Sequence, residues 1–169
     1  VLGVDLLTVV GHKFGAPKGV AALYVRAGTS LPKMLHGGGQ ESGRRAGTEC
    51  VVLISALGEA ARIAREEAAP LRAHMVRTRD LLKRLLVEGL PEGATRDNGP
   101  ADAAERLPNT LSIGIADVRS SELLSNLSEQ LAASAGAACH SHAAAISSVL
   151  KAMDVPLKFA VGTLRLSTG

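Results

Sequence analysis

The sequence predicts an α/β protein built in two parts. Three features carry that expectation. Two short apolar runs with strand character, residues 4–10 and 20–26, flank a Gly/Pro-rich turn. A long central stretch then repeats apolar residues three and four apart, the period of a helix packed on one face. The second half returns to strand patterns, with apolar and polar residues alternating from Asn109 to Ile115 and a final apolar run at Thr163–Ser167.

In chain order, the first two strands are joined by Gly11-His12-Lys13-Phe14-Gly15-Ala16-Pro17-Lys18-Gly19, and the first is read as a buried strand. Residues 27–52 read mostly as loop. A helix starts near Val51, with Leu53, Leu57, Ala60 and Ala64 on one face. Pro70 interrupts it, either as a kink or as the first residue of a new helix. The pattern resumes through Leu71, Met75, Leu82, Leu85 and Leu86 and stops at Gly89 and Pro91. Ser120 and Ser121 with Glu122 open a helix running to about Gln130, since hydroxyls cap a helix start and an acid there meets the positive end of the dipole. Leu131–Ser134 reads as a short strand, Ala135–Ala145 as a small-residue loop, and Ser147/Ser148 begin a short helix through Ala152 that ends at Val155-Pro156. The boundary between the two parts is expected in the long helical region, near residues 55–75.

At 169 residues the chain is long enough to bury a core, and 46% hydrophobic content fits a globular protein. The net charge of +3 is mild, the basic residues are scattered and aromatics are only 2%, which disfavours nucleic-acid binding. No apolar run reaches the roughly 18–20 residues of a transmembrane helix, and the start lacks the basic region of a signal peptide. Cys50 and Cys139, far apart, make no disulfide framework, so a reducing compartment is expected: the cytoplasm or an organelle interior. Residue 1 is not Met and the chain stops directly after a strand, so it reads as a fragment of a longer protein or a truncated gene product.

Four stretches carry candidate chemistry. Lys13 follows an apolar strand, where an amine can be desolvated and aimed at a carbonyl, as Schiff-base chemistry requires. A lone lysine there is more often a solvated side chain in a tight turn. Gly37-Gly38-Gly39-Gln40-Glu41-Ser42-Gly43-Arg44-Arg45-Ala46-Gly47-Thr48 can form an anion-binding nest with Thr48 as an added donor, or a plain surface loop. Cys139 sits among small residues in Ala133-Ser134-Ala135-Gly136-Ala137-Ala138-Cys139-His140-Ser141, either as an accessible thiol or as a buried structural one. Arg165, in Gly162-Thr163-Leu164-Arg165-Leu166-Ser167, needs an anionic partner: a substrate carboxylate or a structural ion pair. Cys139, His140 and His142 with His36 or Cys50 match no standard zinc spacing, so no metal is expected. Cys50 is expected to pack at the helix start.

Taken together, these strings resemble the cysteine desulfurase and selenocysteine lyase family, which is class V aminotransferase-like and uses pyridoxal phosphate (PLP) on fold type I. Gly11-His12-Lys13 with Pro17-Lys18-Gly19 resembles its PLP-lysine segment, Gly-His-Lys-x-x-Gly-Pro-Lys-Gly, with Ala16 placing Gly15 one position early. The glycine loop resembles its Gly-Gly-Gly-x-Glu-x-x-x-Arg-x-Gly-Thr signature, the Cys139 loop its Ser-x-Gly-x-Ala-Cys, and the Arg165 segment its Arg-x-Ser-x-Gly. The resemblance implies the C-terminal portion of a PLP-dependent transferase: residues 1–60 a remnant of the PLP-binding large domain, residues 61–169 the connecting helix and a small α/β domain, truncated at its end.

The same resemblance assigns Lys13 to the Schiff base and to proton transfer, His12 to the neighbourhood of the cofactor phosphate, and Thr48 to the phosphate of a neighbouring subunit, hence a homodimer. Cys139 takes the substrate sulfur as a persulfide, Arg165 holds the substrate carboxylate, and Arg45 has a structural or substrate-entry role. Where Val10 stands the family often has a serine, whose hydroxyl also serves the phosphate. L-cysteine or L-selenocysteine is the implied substrate, and a sulfur-acceptor protein the implied partner; neither nucleic acid nor membrane is. The ring-stacking histidine, the aspartate facing the pyridine nitrogen and an upstream phosphate loop precede the lysine in the family, so these 169 residues alone are expected to bind PLP poorly and turn over little. Two other readings share the motifs: a non-catalytic remnant or scaffold, and a class V aminotransferase without sulfur chemistry.

Overall fold

The computed structural model describes residues 2–135 and 146–169. The chain divides into two compact units, Val1–Ala68 and Ala69–Gly169.

In the first unit, β1 (Leu6–Val10) and β2 (Ala21–Val25) form an antiparallel pair with Leu6 opposite Val25 and Val10 opposite Ala21. The runs of Leu, Val and Ala make the strands, and the glycine-rich segment between them makes the turn. Burial departs from the sequence reading: β1 is not a buried strand here, and Leu6, Leu7 and Val9 are 43%, 38% and 37% exposed. A two-stranded sheet has neither flanking strands nor a second layer, so both of its faces stay open. After a loop containing one short 3-10 turn, Glu41–Gly43, the helix α1 (Val51–Glu66) follows. Its predicted face is the inward one as far as Ala60, with Leu53 and Leu57 half-buried and Ala60 buried, whereas Ala64, expected on the same face, is exposed, as are Val51 and Val52.

The α1 helix closes at Glu67, whose amide donates to the Ile63 carbonyl, and α2 (Ala68–Glu88) begins at once. Pro70 therefore lies in the first turn of a new helix, where a missing N–H removes no helical hydrogen bond.

The second unit is a four-stranded antiparallel sheet in the order β3-β4-β6-β5, comprising β3 (Thr95–Asp97), β4 (Thr110–Ile115), β5 (Ser134–Ala135) and β6 (Thr163–Ser167). The last strand in sequence is thus interior in space. Leu111, Ile113, Ile115, Leu164 and Leu166 form a buried cluster on one face, covered by Leu82 and Leu86 of α2 and by Leu123 and Leu124 of α3 (Ser120–Asn126). A second cluster joins Leu150 of α4 (Ser148–Ala152), Val155, and Phe159 and Ala160 of α5 (Leu157–Ala160). Ser147 caps α4, its hydroxyl accepting from the Val149 amide.

Two glycines allow the layers to meet. A Cβ on Gly114 would lie 2.7 Å from the Phe159 carbonyl, and one on Gly162 would lie 1.9 Å from the Ile115 carbonyl. The edge is tied by charge. Asp97 of β3 accepts from Arg106 at 2.6 and 2.7 Å and from Lys83 of α2 at 2.5 Å. Burial pushes the Asp97 carboxyl up, but the hydrogen bonds from Arg106 and Lys83 outweigh it and hold the group below the usual carboxylate range. Arg79 of α2 is buried and donates to the Leu107 carbonyl, fixing the entry to β4.

Two elements have no signal in the apolar pattern: β3, whose residues are Thr-Arg-Asp, and the single turn of α5. The α3 helix stops at Asn126, short of Gln130, because Leu127 turns the chain and its carbonyl accepts from both Gln130 and Leu131. The predicted strand at Leu131–Ser134 starts three residues early and ends one early, since β5 is Ser134–Ala135.

Candidate active site

The lysine turn is built by backbone hydrogen bonding around Gly11. Its amide donates to the Val20 carbonyl at 3.0 Å, and its own carbonyl accepts from the Phe14 and Ala16 amides, both at 3.1 Å. Gly11 to Lys13 form a 3-10 turn directly after β1, which presents His12 and Lys13 on the outside. Among the described residues, Lys13 makes no ion pair or side-chain hydrogen bond, so its amine is open to a ligand. Ala16, which stands where the family pattern has its glycine, has a structural place in the loop. Ala16 is 7% exposed, and a Cβ on Gly11 would lie 3.0 Å from the Ala16 Cβ and from Val20 Cγ1. Ala16 plugs the space under the turn, and only glycine fits opposite it. The chain leaves the loop at Gly19, φ +104°, where a Cβ would touch Leu53 of α1 at 3.4 Å.

Thr48 lies just before the N-cap of that same helix, at the end of the glycine loop, and its side chain is exposed. The lysine loop and the glycine loop therefore both lead to the first turn of α1. Among the described residues no hydrogen bond joins Thr48 to the lysine turn. The glycine loop is held mainly by Gln40, which sequence reasoning passed over as a variable position. Gln40 Oε1 accepts from the Gly47 amide at 3.2 Å, and the Gly43 amide donates to the carbonyls of Gly39 (2.9 Å) and Gln40 (3.0 Å). Arg45 folds back to donate through Nη1 to the Ala46 carbonyl, which gives it a structural place in this loop. Cys50, expected to pack, is instead exposed: as the N-cap residue of α1 it precedes the first turn and lies outside its packed face.

Arg165 lies in the second unit, on β6, directly opposite Ser112 of β4 and Ser134 of β5. Strand alternation turns it away from the Leu164 and Leu166 side. Its Nε donates to Ser134 Oγ at 3.1 Å. Among the described residues no carboxylate pairs with it, so the structural ion pair is absent and both Nη atoms can serve a ligand. The β5 strand ends at Ala135, next in sequence to residues 136–145; Cys139 lies there, outside the described residues.

Lys13, His12 and Thr48 lie in the first unit and Arg165 lies in the second. Residues 1–169 match the family described as Aminotransferase class-V. The chain belongs to this family.

Class-V aminotransferases and cysteine desulfurases depend on PLP. Among curated relatives, the chain is 38% identical over 169 residues to a cysteine desulfurase, IscS, of Dictyoglomus turgidum, covering 99% of the chain and 42% of that protein. It is 41% identical over 165 residues to a cysteine desulfurase of Trichormus azollae, covering 97% and 40%. A solved NifS-like protein superposes with a TM-score of 0.81 at 34% identity, over 99% of this chain and 41% of that one. The fold expectation holds: the mixed α/β architecture is that of NifS-like members of the family. The chain spans about two-fifths of the length of the relatives it matches.

The donor set passes a simple test for PLP. The group carries an aldehyde, which needs a free amine, and a phosphate, which needs donors. Lys13 is such an amine, and His12 and Thr48 are exposed donors. Val10 contributes no side-chain donor, so the phosphate contacts available from this segment are fewer by one.

Proposed function

We propose that the full-length protein is a PLP-dependent cysteine desulfurase, converting L-cysteine to L-alanine and leaving the sulfur as a persulfide on Cys139 for a sulfur-acceptor protein. The observation that carries this reading is the exposed Lys13 amine on a tight turn, without an ion pair among the described residues, in a chain whose relatives are named cysteine desulfurases. Lys13 would hold the cofactor aldehyde, and His12 and Thr48 would bind its phosphate, with Thr48 serving the site of a second copy in a homodimer. When bound, PLP supplies an electron sink for the substrate carbons.

This chain's residues supply the rest. The two Nη atoms of Arg165 clamp the substrate carboxylate, while the Ser134 hydroxyl fixes the guanidinium through Nε. The Lys13 amine would also take the substrate Cα proton as a general base. The Cys139 thiolate attacks the substrate sulfur, so that an S–S bond forms as the C–S bond breaks. The electron pair of the broken bond stays with the substrate carbon, which gains a proton, and alanine leaves. The total is balanced: cysteine and a thiol become alanine and a persulfide.

The test is sulfide and alanine release from L-cysteine by the full-length protein with dithiothreitol present. Lys13→Ala should lower kcat at least about a hundredfold, from loss of the base. Cys139→Ala should abolish sulfide release. Unchanged sulfide release by Cys139→Ala would overturn the desulfurase reading, and amino-group transfer without sulfide would point to an aminotransferase. Arg165→Lys should raise KM for cysteine about tenfold with a smaller change in kcat, since a point charge replaces a planar fork.

A further inference from the structure

We propose that Gln40 is a positioning residue that fixes the Thr48 hydroxyl for the cofactor phosphate; this rests on the phosphate assignment of Thr48 made above. The peptide between Ala46 and Gly47 is gripped at both ends. Its carbonyl accepts from Arg45 Nη1, and its N–H donates to Gln40 Oε1 at 3.2 Å. Thr48 is attached to that peptide through one residue, Gly47, which sits at φ +107°. Holding the peptide plane leaves little freedom for the direction in which Thr48 leaves the loop.

The surrounding residues are arranged to let Gln40 do this. A Cβ on Gly38 would lie 2.4 Å from Gln40 Oε1, so glycine at that position makes room for the amide side chain. The backbone of Gln40 closes the other side of the loop through the Gly43 amide. Between these bonds, Glu41 and Ser42 are both in the left-handed region, at φ 52° and 57°, which non-glycine residues adopt at a cost. One residue thus ties the loop shut through its backbone and its side chain at once. A corollary concerns the glycines themselves. The amides of Gly43 and Gly47 are already spent inside the loop, so it is not an open anion nest at those positions, and the phosphate is met by the threonine hydroxyl.

The experiment uses the full-length protein with Gln40→Leu, Gln40→Glu and Thr48→Val. Two readouts apply: amide hydrogen exchange at Gly47 without cofactor, and affinity for PLP against phosphate-free pyridoxal by absorbance titration. Gln40→Leu should speed exchange at Gly47 about fivefold, the scale of one hydrogen bond, with Gly43 unchanged, and should weaken PLP about fivefold with pyridoxal unaffected. Gln40→Glu keeps an acceptor and should retain slow exchange at Gly47. Thr48→Val should show the same PLP-selective loss with Gly47 exchange unchanged. If Gln40→Leu leaves Gly47 exchange unaltered, or weakens PLP and pyridoxal alike, the positioning role falls while the Thr48 assignment stands. If Thr48→Val leaves PLP affinity unaltered, the Thr48 assignment falls and the role of Gln40 with it.

Discussion

The two units of this chain are stabilised in different ways. In Ala69–Gly169 a four-stranded sheet packs one face against helices, and Leu111, Ile113 and Thr163 are almost wholly buried. In Val1–Ala68 the only buried apolar side chains among the described residues are Ala16 and Ala60, and the hairpin exposes Leu23 and Tyr24, each at 51%. The second unit is defined by side-chain packing. In the first unit the lysine turn and the glycine loop are shaped by glycines and backbone hydrogen bonds, beside the hairpin and α1.

The glycines give the sharpest way to break this contrast. Gly162→Ala would place a Cβ 1.9 Å from the Ile115 carbonyl and 2.8 Å from that of Val118, both main-chain atoms in the sheet region. We expect a loss on the order of 4 kcal/mol, measured by urea unfolding of the 169-residue chain. Gly11→Ala meets the Ala16 Cβ and Val20 Cγ1 at 3.0 Å and the Val20 carbonyl at 3.1 Å, a milder approach that should cost about 2 kcal/mol. Equal losses would show that the first unit is as tightly packed as the second.

Truncation of apolar side chains comes next in size. Leu111→Ala, at 1% exposure, should cost about 3 kcal/mol, whereas Leu23→Ala, half-exposed, should stay within about 0.5 kcal/mol. A large loss at Leu23 would mean that the hairpin carries a core of its own.

The next effect is electrostatic and belongs to the second unit. Asp97 is held below the usual carboxylate value of about 3.9 by Arg106 and Lys83, against the opposing push of burial. A carboxyl depressed on folding adds stability above its unfolded pKa, and that stability is lost as pH falls through the folded value. Unfolding at pH 7 should therefore show about 2 kcal/mol less stability for Asp97→Asn, with the difference shrinking below about pH 4. A difference constant with pH would assign the loss to packing.

Much of this was legible along the chain. The hairpin strands, the start of α1, the break near Pro70, and β4 and β6 follow from apolar period and punctuation, because those elements bury one face or end at Gly and Pro. Lys13, Thr48 and Arg165 stand out along the chain only through the motif strings that hold them, and their roles remain part of the proposal. The β3 strand was not, because three polar residues pair at a sheet edge through backbone alone. Gln40 was not, because a glutamine beside glycines has no pattern until its amide is seen to reach Gly47.

The sequence by itself determined the order of elements, the family and the chemical groups on offer, since these depend on local period and on residue type. The tertiary structure decided how those groups are held. It showed that Ala16 is a plug beneath the lysine turn, that Arg165 has a serine and, among the described residues, no carboxylate beside it, and that β6 is interior to the sheet. Each of these is a contact between residues distant in sequence or facing each other across a turn. Such contacts are fixed by how surfaces close on one another, which linear pattern does not record.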